Sequence, residues 1–577
     1  MYTRLLRTLF AVATIGTSTA QQMVLSDTGN LNPEVLSSGA RAWLLGPTTP
    51  TNEIANFSLR TNAPLALGTN VAFGTNVDAA DPNEDLQAGQ AETAIAASGS
   101  LVMAAWNDAT GFVVQPSTFG RASLTGVSLS TDSGNSFVDL RGLPNGNPLM
   151  VWSGDPGVKA IDARHFIVSS LYLPSRVSCL VPGSRTFAIA VSVAIVAENG
   201  SVTFTLPIIA ASGGNPCTTP PPVDLAMLDK PWISYDANSR TLVLSYTRFF
   251  LRPPSFGTGQ IEMVRASVPE DPAALTDSAF STPILIRPEE QGVNNQGSYL
   301  VAAPGGDAYL AWERNEVSNL SNGDPFVYIR AAVVPAGATA PSVGGTDSPR
   351  VVTLDQAHSN GIGGVKSLNS VTIPGYNRGR GNDFPRIAFR PATNLWQSDE
   401  VIVVWNDASL HPLGDIFLRA LSPTLDFLTP IQKVNDDDSF ALHLLPAVSI
   451  LEDGSISTSW YDRRLGGANS TRTDYFGEIR ATADQDAPDF RISSDSTDWL
   501  ATGSVITPNF GDYTDNFSQA GTTFYLWTDG RIGVPQSFAD TSDHVAQTVT
   551  SMTNAPQDLS PKLLNREKYA TYSSDRH

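Results

Sequence analysis

The chain has 577 residues, with 36 Lys and Arg against 56 Asp and Glu, for a formal net charge of −20. That field repels polyanions, which excludes nucleic acid and anionic lipid as partners held by charge and leaves neutral glycans, proteins and cations. Gly (46) and Pro (40) are frequent, which favours many short strands with turns between them over long helices.

In chain order, residues 1–20 read as a secretory signal peptide. Arg4 and Arg7 precede an apolar run from Leu9 to Ile15, and Ser18, Thr19 and Ala20 supply the small residues of a cleavage site. The expected location is secreted or periplasmic, extracytoplasmic in either case. No later run reaches the roughly 18–20 apolar residues of a spanning helix, so no membrane insertion is expected. Residues 21–87 carry Pro, Asn and Thr in no repeating pattern. They are expected to form an N-terminal extension able to donate a closing strand, and residues 555–577 a C-terminal tail. Cys179 and Cys217 are the two cysteines. In an exported chain such a pair is expected to form a disulfide, closing a loop of about 38 residues worth about 3–4 kcal/mol.

Between these ends one unit recurs: an apolar strand, a turn of Gly, Asp or Asn, then a second strand ending in an aromatic and often an acid. Copies start near residues 92, 155, 229, 296, 383, 445 and 511. A third strand places Arg before Ala in MVRAS (263–267), YIRAA (328–332), FLRAL (417–421) and EIRAT (478–482). A fourth is expected at PILIR (283–287), RVVTL (350–354) and PIQKV (430–434). The first strand of each copy reads as buried on both faces and the second as half-exposed, which suits the inner strands of a propeller blade. The fold class expected is all-β: a β-propeller over residues 88–554 with seven four-stranded blades, or six if a terminal copy is misread.

One string stands out. Ser130-Thr131-Asp132-Ser133-Gly134-Asn135-Ser136-Phe137 matches the Asp-box pattern S-x-D-x-G-x-x-[WF]. In it the carboxylate accepts from turn N–H groups, Gly supplies a positive φ, and the aromatic anchors the turn. On this string and on LVMAAWND, DKPWISYD, SWYDRR and LWTDGR, the chain resembles the sialidase-like (BNR, Asp-box repeat) β-propeller superfamily. The resemblance implies that Ser130, Asp132, Gly134 and Phe137 are structural and remote from any active site. It also implies an arginine triad, a Tyr nucleophile with a Glu partner, and an Asp acid/base. The family's N-terminal F/Y-R-I-P string is absent; FPRIAF (384–389) and DFRIS (489–493) are the nearest and lie late. Arg265, Arg330, Arg419 and Arg480 recur at equivalent positions, as structural arginines would.

The turns leading into the innermost strands of a propeller ring one mouth of its channel. Four residues there, Asp383, Asp512, Tyr513 and Glu92, are candidate catalytic groups, because glycosidic cleavage needs a paired acid and base. Asp155, Asp229, Lys230, Gln296 and His443 are candidate ligand-binding groups. Each Asp equally suits a local turn cap. No cofactor is expected, Ca²⁺ being the cation that converging carboxylates would take. The acids after the strand aromatics (Asp108, Glu313, Asp407, Asp462, Asp529) repeat with the unit and point to a shared structural job, as do Trp106, Trp312, Trp405, Trp460 and Trp527. The function expected is a protein that acts on or binds a glycan or glycoconjugate, as an exo-sialidase-like glycoside hydrolase. The alternative is a non-catalytic propeller module for glycan or protein. A polysaccharide lyase, with His443 and Tyr513 as its proton-transfer pair, is a third reading.

Overall fold

The computed structural model describes residues 36–38, 40–41, 77–78, 89–109, 123–174, 183, 185–218, 220, 222–251, 257–288, 293–316, 326–338, 350–355, 372–378, 381–393, 396–408, 410–411, 413–467, 470–504, 506–531 and 534–543. The segment read as a signal peptide, the C-terminal tail and Cys179 lie outside them. Cys217 is disulfide-bonded.

Among the described residues, regular structure beyond strands amounts to single helical turns, and no helix is long and apolar enough to cross a membrane. The first described strand is β1 (Val77–Asp78), and the strands after it form a series of antiparallel meanders. The first meander comprises β2 (Gln90–Ser98), β3 (Leu101–Asp108), β4 (Thr125–Ser130) and β5 (Val138–Gly142). In the second, β6 (Met150–Trp152) and β7 (Gly157–Ala160) both pair with β8 (His165–Pro174). On its other side β8 pairs with β9 (Phe187–Val196), which carries β10 (Val202–Phe204) and β11 (Ile208–Gly214).

The third holds β12 (Ala226–Asp236), β13 (Thr241–Phe250), β14 (Gly259–Ser267) and β15 (Ile284–Arg287). A single parallel bridge, Gly259 to Asn294, joins it to the fourth: β16 (Val293–Ala302), β17 (Ala308–Glu316), β18 (Phe326–Val334) and β19 (Arg350–Asp355). The fifth is β20 (Arg386–Arg390), β21 (Glu400–Asp407), β22 (Asp415–Leu421) and β23 (Gln432–Lys433). The sixth is β24 (His443–Ile450), β25 (Ile456–Asp462), β26 (Arg472–Arg480) and β27 (Phe490–Arg491), with β28 (Thr497–Asp498) also on β26. The last runs β29 (Asp515–Gln519), β30 (Thr522–Asp529) and β31 (Gln536–Asp543), and its outermost strand is β1. Val77 pairs with Ala539 and Asp78 with Phe538. The innermost strands touch in cyclic order: β2, β7, β12, β16, β20, β24, β29 and back to β2. The chain is an all-β propeller.

The third-strand strings fall in β14, β18, β22 and β26, and the fourth-strand strings in β15, β19 and β23. One expectation is corrected. The second strands are not half-exposed: β3, β13, β21, β25 and β30 are buried nearly end to end. Their polar residues alternate in sequence, yet both faces of each sheet meet a neighbouring meander, so Ser457, Ser459 and Thr458 are as buried as Trp460.

Two devices hold the ring. Within a meander, the second-strand Trp donates Nε1–H to the Asp two residues on: Trp405 to Asp407 at 3.1 Å, Trp460 to Asp462 at 3.0 Å and Trp527 to Asp529 at 3.1 Å. Arg464 and Arg531 then bind Asp462 and Asp529 through backbone and guanidinium N–H. These three tryptophans, like Trp106 and Trp312 at the same place in their meanders, are at most 1% exposed. Each buries on the order of 150–250 Å², or roughly 4–6 kcal/mol of transfer free energy.

Between meanders, the side chain after the Trp reaches the backbone of the next innermost strand. Asn107 Oδ1 accepts from Asp155 N at 2.6 Å, Glu313 Oε2 from Asp383 N at 2.8 Å, and Asn406 Oδ1 from Leu445 N at 2.9 Å. Asn406 also donates Nδ2–H to the carbonyl of Asn382 at 2.7 Å. Replacing Asn406→Ala leaves that N–H and carbonyl buried without partners, which costs about 1–3 kcal/mol each before relaxation. The expected result is a clearly lowered denaturation midpoint; a midpoint equal to wild type would show that these contacts do not hold the seam.

Candidate functional site

The innermost strands reach the axis through bulges. In β2 the register shifts between Ala91 and Ala94 around Glu92, whose φ is 57°. In β12 it shifts between Asp229 and Trp232 around Lys230, with φ 51°. Asp155, just before β7, has φ 57°. A side-chain-bearing residue at positive φ costs of the order of 1–3 kcal/mol and persists only where its surroundings dictate it. Gly511, φ 79°, meets this need with no Cβ; one placed there would lie 2.5 Å from Glu92 N.

These bulges, with the turns before β7 and β29, bring Glu92, Asp155, Asp229, Lys230 and Asp512 together. Glu92 Oε2 accepts from Asn107 Nδ2 at 2.5 Å, and its Oε1 from Asp512 N at 3.2 Å. Asp155 Oδ2 accepts from Lys230 N at 3.2 Å. Lys230 Nζ lies 3.0 Å from Asp512 Oδ2 and 3.6 Å from Asp229 Oδ2. Arg378 Nη1 pairs with Asp512 Oδ1, which also accepts from Asn382 Nδ2 at 3.2 Å. Every one of these side chains is nearly or fully buried.

Four carboxyl groups thus face two cations without solvent, and protonation resolves the imbalance. Burial, then the charge of Asp512, pushes Glu92 from 4.5 up to about 7, against the pull of Lys230. Asp155 is raised well above its ordinary value by burial and then by the charges of Glu92 and Asp229. Asp512 goes the other way: burial opposes ionisation, but Arg378 and Lys230 outweigh it and hold the group below its ordinary value. Glu92 and Asp155 are thus the groups pushed toward the neutral acid, and Asp512 the one pushed toward the anion.

Next to this cluster lies an aromatic and cationic layer. Tyr513 donates its hydroxyl to the carbonyl of Pro156 at 3.0 Å. Its ring sits 5.7 Å from that of Trp232 and 6.0 Å from that of Tyr299. The Arg386 guanidinium lies 3.6 Å over Tyr299 and 4.5 Å over Trp232, and pairs with Asp515 at 2.9 Å.

One segment from outside the meanders covers the cluster. Ser37 donates its backbone N–H to Asp229 Oδ2 at 3.0 Å and its hydroxyl to Asp229 Oδ1, and Ser38 donates Oγ–H to Glu92 Oε1 at 3.2 Å.

Asp383 accepts from Asn406 Nδ2 at 3.2 Å; the side chain that reaches Asp512 is that of the preceding residue, Asn382. Gln296 Nε2 donates to Glu313 Oε1 at 3.4 Å. His443 and Tyr513 are not brought into contact as a lyase pair would require. The His443 ring has Nδ1 2.9 Å from the Gly414 carbonyl, and Nε2 3.0 Å from Asp437 and 3.4 Å from Asp462. Burial lowers its basicity, but Asp462 and Asp437 outweigh this and raise it.

Asp437, His443 and Asp462 bring one donor atom each within 4.8 Å of the others. A metal fits poorly there, because Arg464 Nη2 already lies 2.8 Å from Asp462 Oδ2 and 3.3 Å from Asp437 Oδ1. The guanidinium supplies the charge that Ca²⁺ would bring. The string 130–137 forms the turn between β4 and β5, remote in sequence from all of this. Ser130 Oγ donates to Asp132 Oδ1 at 2.7 Å, Ser136 N donates to the same oxygen at 2.9 Å, and Gly134 has φ 85°. Partial burial opposes ionisation of Asp132, but the hydrogen bonds from Ser136 and Ser130 hold it below its ordinary value. Phe137 packs on the apolar cluster of Trp106 and Phe524. The recurrent arginines do not converge: Arg265 donates to the Val334 carbonyl, Arg419 to that of Thr429, and Arg480 binds Glu478.

No family model and no curated protein matches the chain. Solved structures similar to it include an α-L-arabinanase of Penicillium chrysogenum complexed with arabinobiose, at 12% identity and TM-score 0.39, covering 67% of this chain and 92% of that one. An α-L-arabinofuranosidase of Fusarium graminearum is 10% identical at TM-score 0.40, covering 82% and 98%. A Trypanosoma rangeli sialidase is 11% identical at TM-score 0.38, covering 81% and 57%. At such low values, what those proteins act on remains a property of theirs.

The proton on Glu92 makes stability depend on pH. Its carboxyl titrates near 7 when folded and near 4.5 when free. Between these values the native state binds the extra proton, so stability falls as pH rises, by roughly 1.4 kcal/mol per pH unit for one proton. Glu92→Gln is therefore expected to flatten the plot of unfolding free energy against pH from about 5 to 7. Parallel plots for variant and wild type would show that Glu92 carries no extra proton.

Proposed function

We propose that the protein is a glycan-acting propeller of the glycoside hydrolase kind, exported from the cell, with the axial carboxyl cluster as its acid–base site. What carries this reading is the contact of neighbouring buried carboxyl groups whose surroundings push them in opposite directions. Glu92 and Asp155 are driven toward the neutral acid, while Asp512, in direct contact with Glu92, is driven toward the carboxylate. Glycosidic cleavage needs that division: a proton donor for the leaving oxygen and an anion facing the oxocarbenium-like transition state. In this reading Glu92, pushed up to about 7, is the acid. Asp512 is the carboxylate.

A second reading, a non-catalytic module that binds a glycan or protein, is favoured by one observation. Glu92, Asp155 and Asp229 are 0% exposed and Asp512 is 1% exposed, so the cluster serves equally as a structural hub while it stays covered.

The test is turnover of a sialoside, arabino-oligosaccharides and neutral polysaccharides by the wild type, Glu92→Gln and Asp512→Asn. Hydrolysis of one substrate is expected, lowered about 10²-fold or more in each variant. No turnover of any substrate, with or without the segment that carries Ser37 and Ser38, rejects the hydrolase reading and leaves the binding module.

A further inference from the structure

We propose that the segment around Ser37 and Ser38 is a removable plug on the axial cluster, and that its hydroxyls stand where those of a polyhydroxylated ligand bind. The ligand class rests on the glycan-directed reading above; the plug itself does not.

Among the described residues, Asp229 receives side-chain hydrogen bonds from Ser37 alone, through N–H and Oγ–H, and has an ion pair with Lys230 besides. Glu92 receives the Ser38 hydroxyl in addition to its contacts within the ring. The turn is shaped for this double contact. Arg41 N donates to the Ser37 carbonyl at 2.8 Å, and Ser37 Oγ also accepts from Ala40 N at 3.4 Å. Ser37 therefore caps the turn while donating to Asp229. Leu36 and Ala40, both 0% exposed, join the apolar cluster that includes Ile167 and Leu228.

The propeller closes without this segment. Among the described residues it forms no strand pairing, and the sheet that completes the ring takes its outermost strand from Val77–Asp78, further along the chain. Once the plug leaves, the Asp229 carboxylate has lost the donors that Ser37 gives it. A carboxylate in that position must recover them from water or from a ligand. Adjacent hydroxyls on one ring offer what Ser37 and Ser38 offer now: donors side by side, aimed at two different carboxyl groups. A carbohydrate meets that requirement, and an anion does not.

A specific protease site inserted in the full chain between residues 42 and 76 allows the plug to be cut while β1 stays on β31. Carbodiimide coupling at a pH near 6, read by peptide mass spectrometry, then reports access to Glu92 and Asp229. Glu478, 0% exposed and bound to Arg480, reports unfolding. Before cutting, neither site residue is expected to label. After cutting and native removal of the fragment, both are expected to label about tenfold faster or more, with Glu478 still silent. Added oligosaccharide is expected to slow the labelling again. Ser37→Ala/Ser38→Ala in the uncut chain is expected to raise the labelling of both residues without proteolysis.

Unchanged labelling after release of the fragment, or labelling of Glu478 in step with Glu92, overturns the plug: the segment is then irrelevant to access or part of the core. Opening without protection by any sugar overturns the ligand class. Turnover by the opened protein is scored separately, so failure of catalysis leaves the plug standing.

Discussion

A propeller must join sheets that share no strand, and here the joints are buried hydrogen bonds from one meander's side chain to the next meander's backbone. Asn107, Glu313 and Asn406 each accept the N–H of a residue at the start of the following innermost strand. In the axial cluster the acceptors are carboxyl groups: Asp155 takes the Lys230 N–H, and Glu92 takes that of Asp512. A bulge turns one amide out of its own ladder. Such an N–H in a dry interior has to find an acceptor elsewhere, and the neighbouring sheet supplies it. The candidate site therefore arises from the same constraint that closes the ring. At Glu92 and Asp155 the joint is made by a carboxyl packed against further charged groups, and there burial and charge shift its titration.

Much of the fold was legible in the sequence because burial on both faces leaves a plain mark. The innermost strands are apolar runs, and the second strands end in Trp followed by an acid. VIVVWND (401–407) and YLWTD (525–529), both second strands, align by eye for that reason. The second meander was less legible, since β10 and β11 share one edge of β9 and blur the repeat. The outermost strand of the last sheet was invisible as a repeat element, because it comes from residues 77–78, far from its partner in sequence.

The site was legible in part, and the reason lies in how each residue reaches the axis. Glu92, Asp155, Asp229, Lys230 and Asp512 stand at fixed places in the repeat, so periodicity finds them. Asp383 stands at the same place, but its carboxyl accepts from Asn406, and no pattern of residue types distinguishes those two outcomes. Arg378 and Ser37 come from outside the repeat, where periodicity has no reach. Arg386 lies in FPRIAF, the string nearest to the family's missing arginine motif. Its late position in the chain hides it, yet in three dimensions it stacks on Tyr299 and Trp232 beside the cluster.

The seam between β1 and β31 has a mechanical consequence. Among the described residues two pairs hold it, and the strands run antiparallel, with Val77 opposite Ala539 and Asp78 opposite Phe538. The chain leads away toward its two termini from the same end of this pairing. Tension from the N-terminal side is carried first by the segment around Ser37 and Ser38. Once that segment is free, the load falls on β1 and peels the seam one bond at a time instead of shearing both together. The joint that closes the ring is thus one that tension opens by peeling.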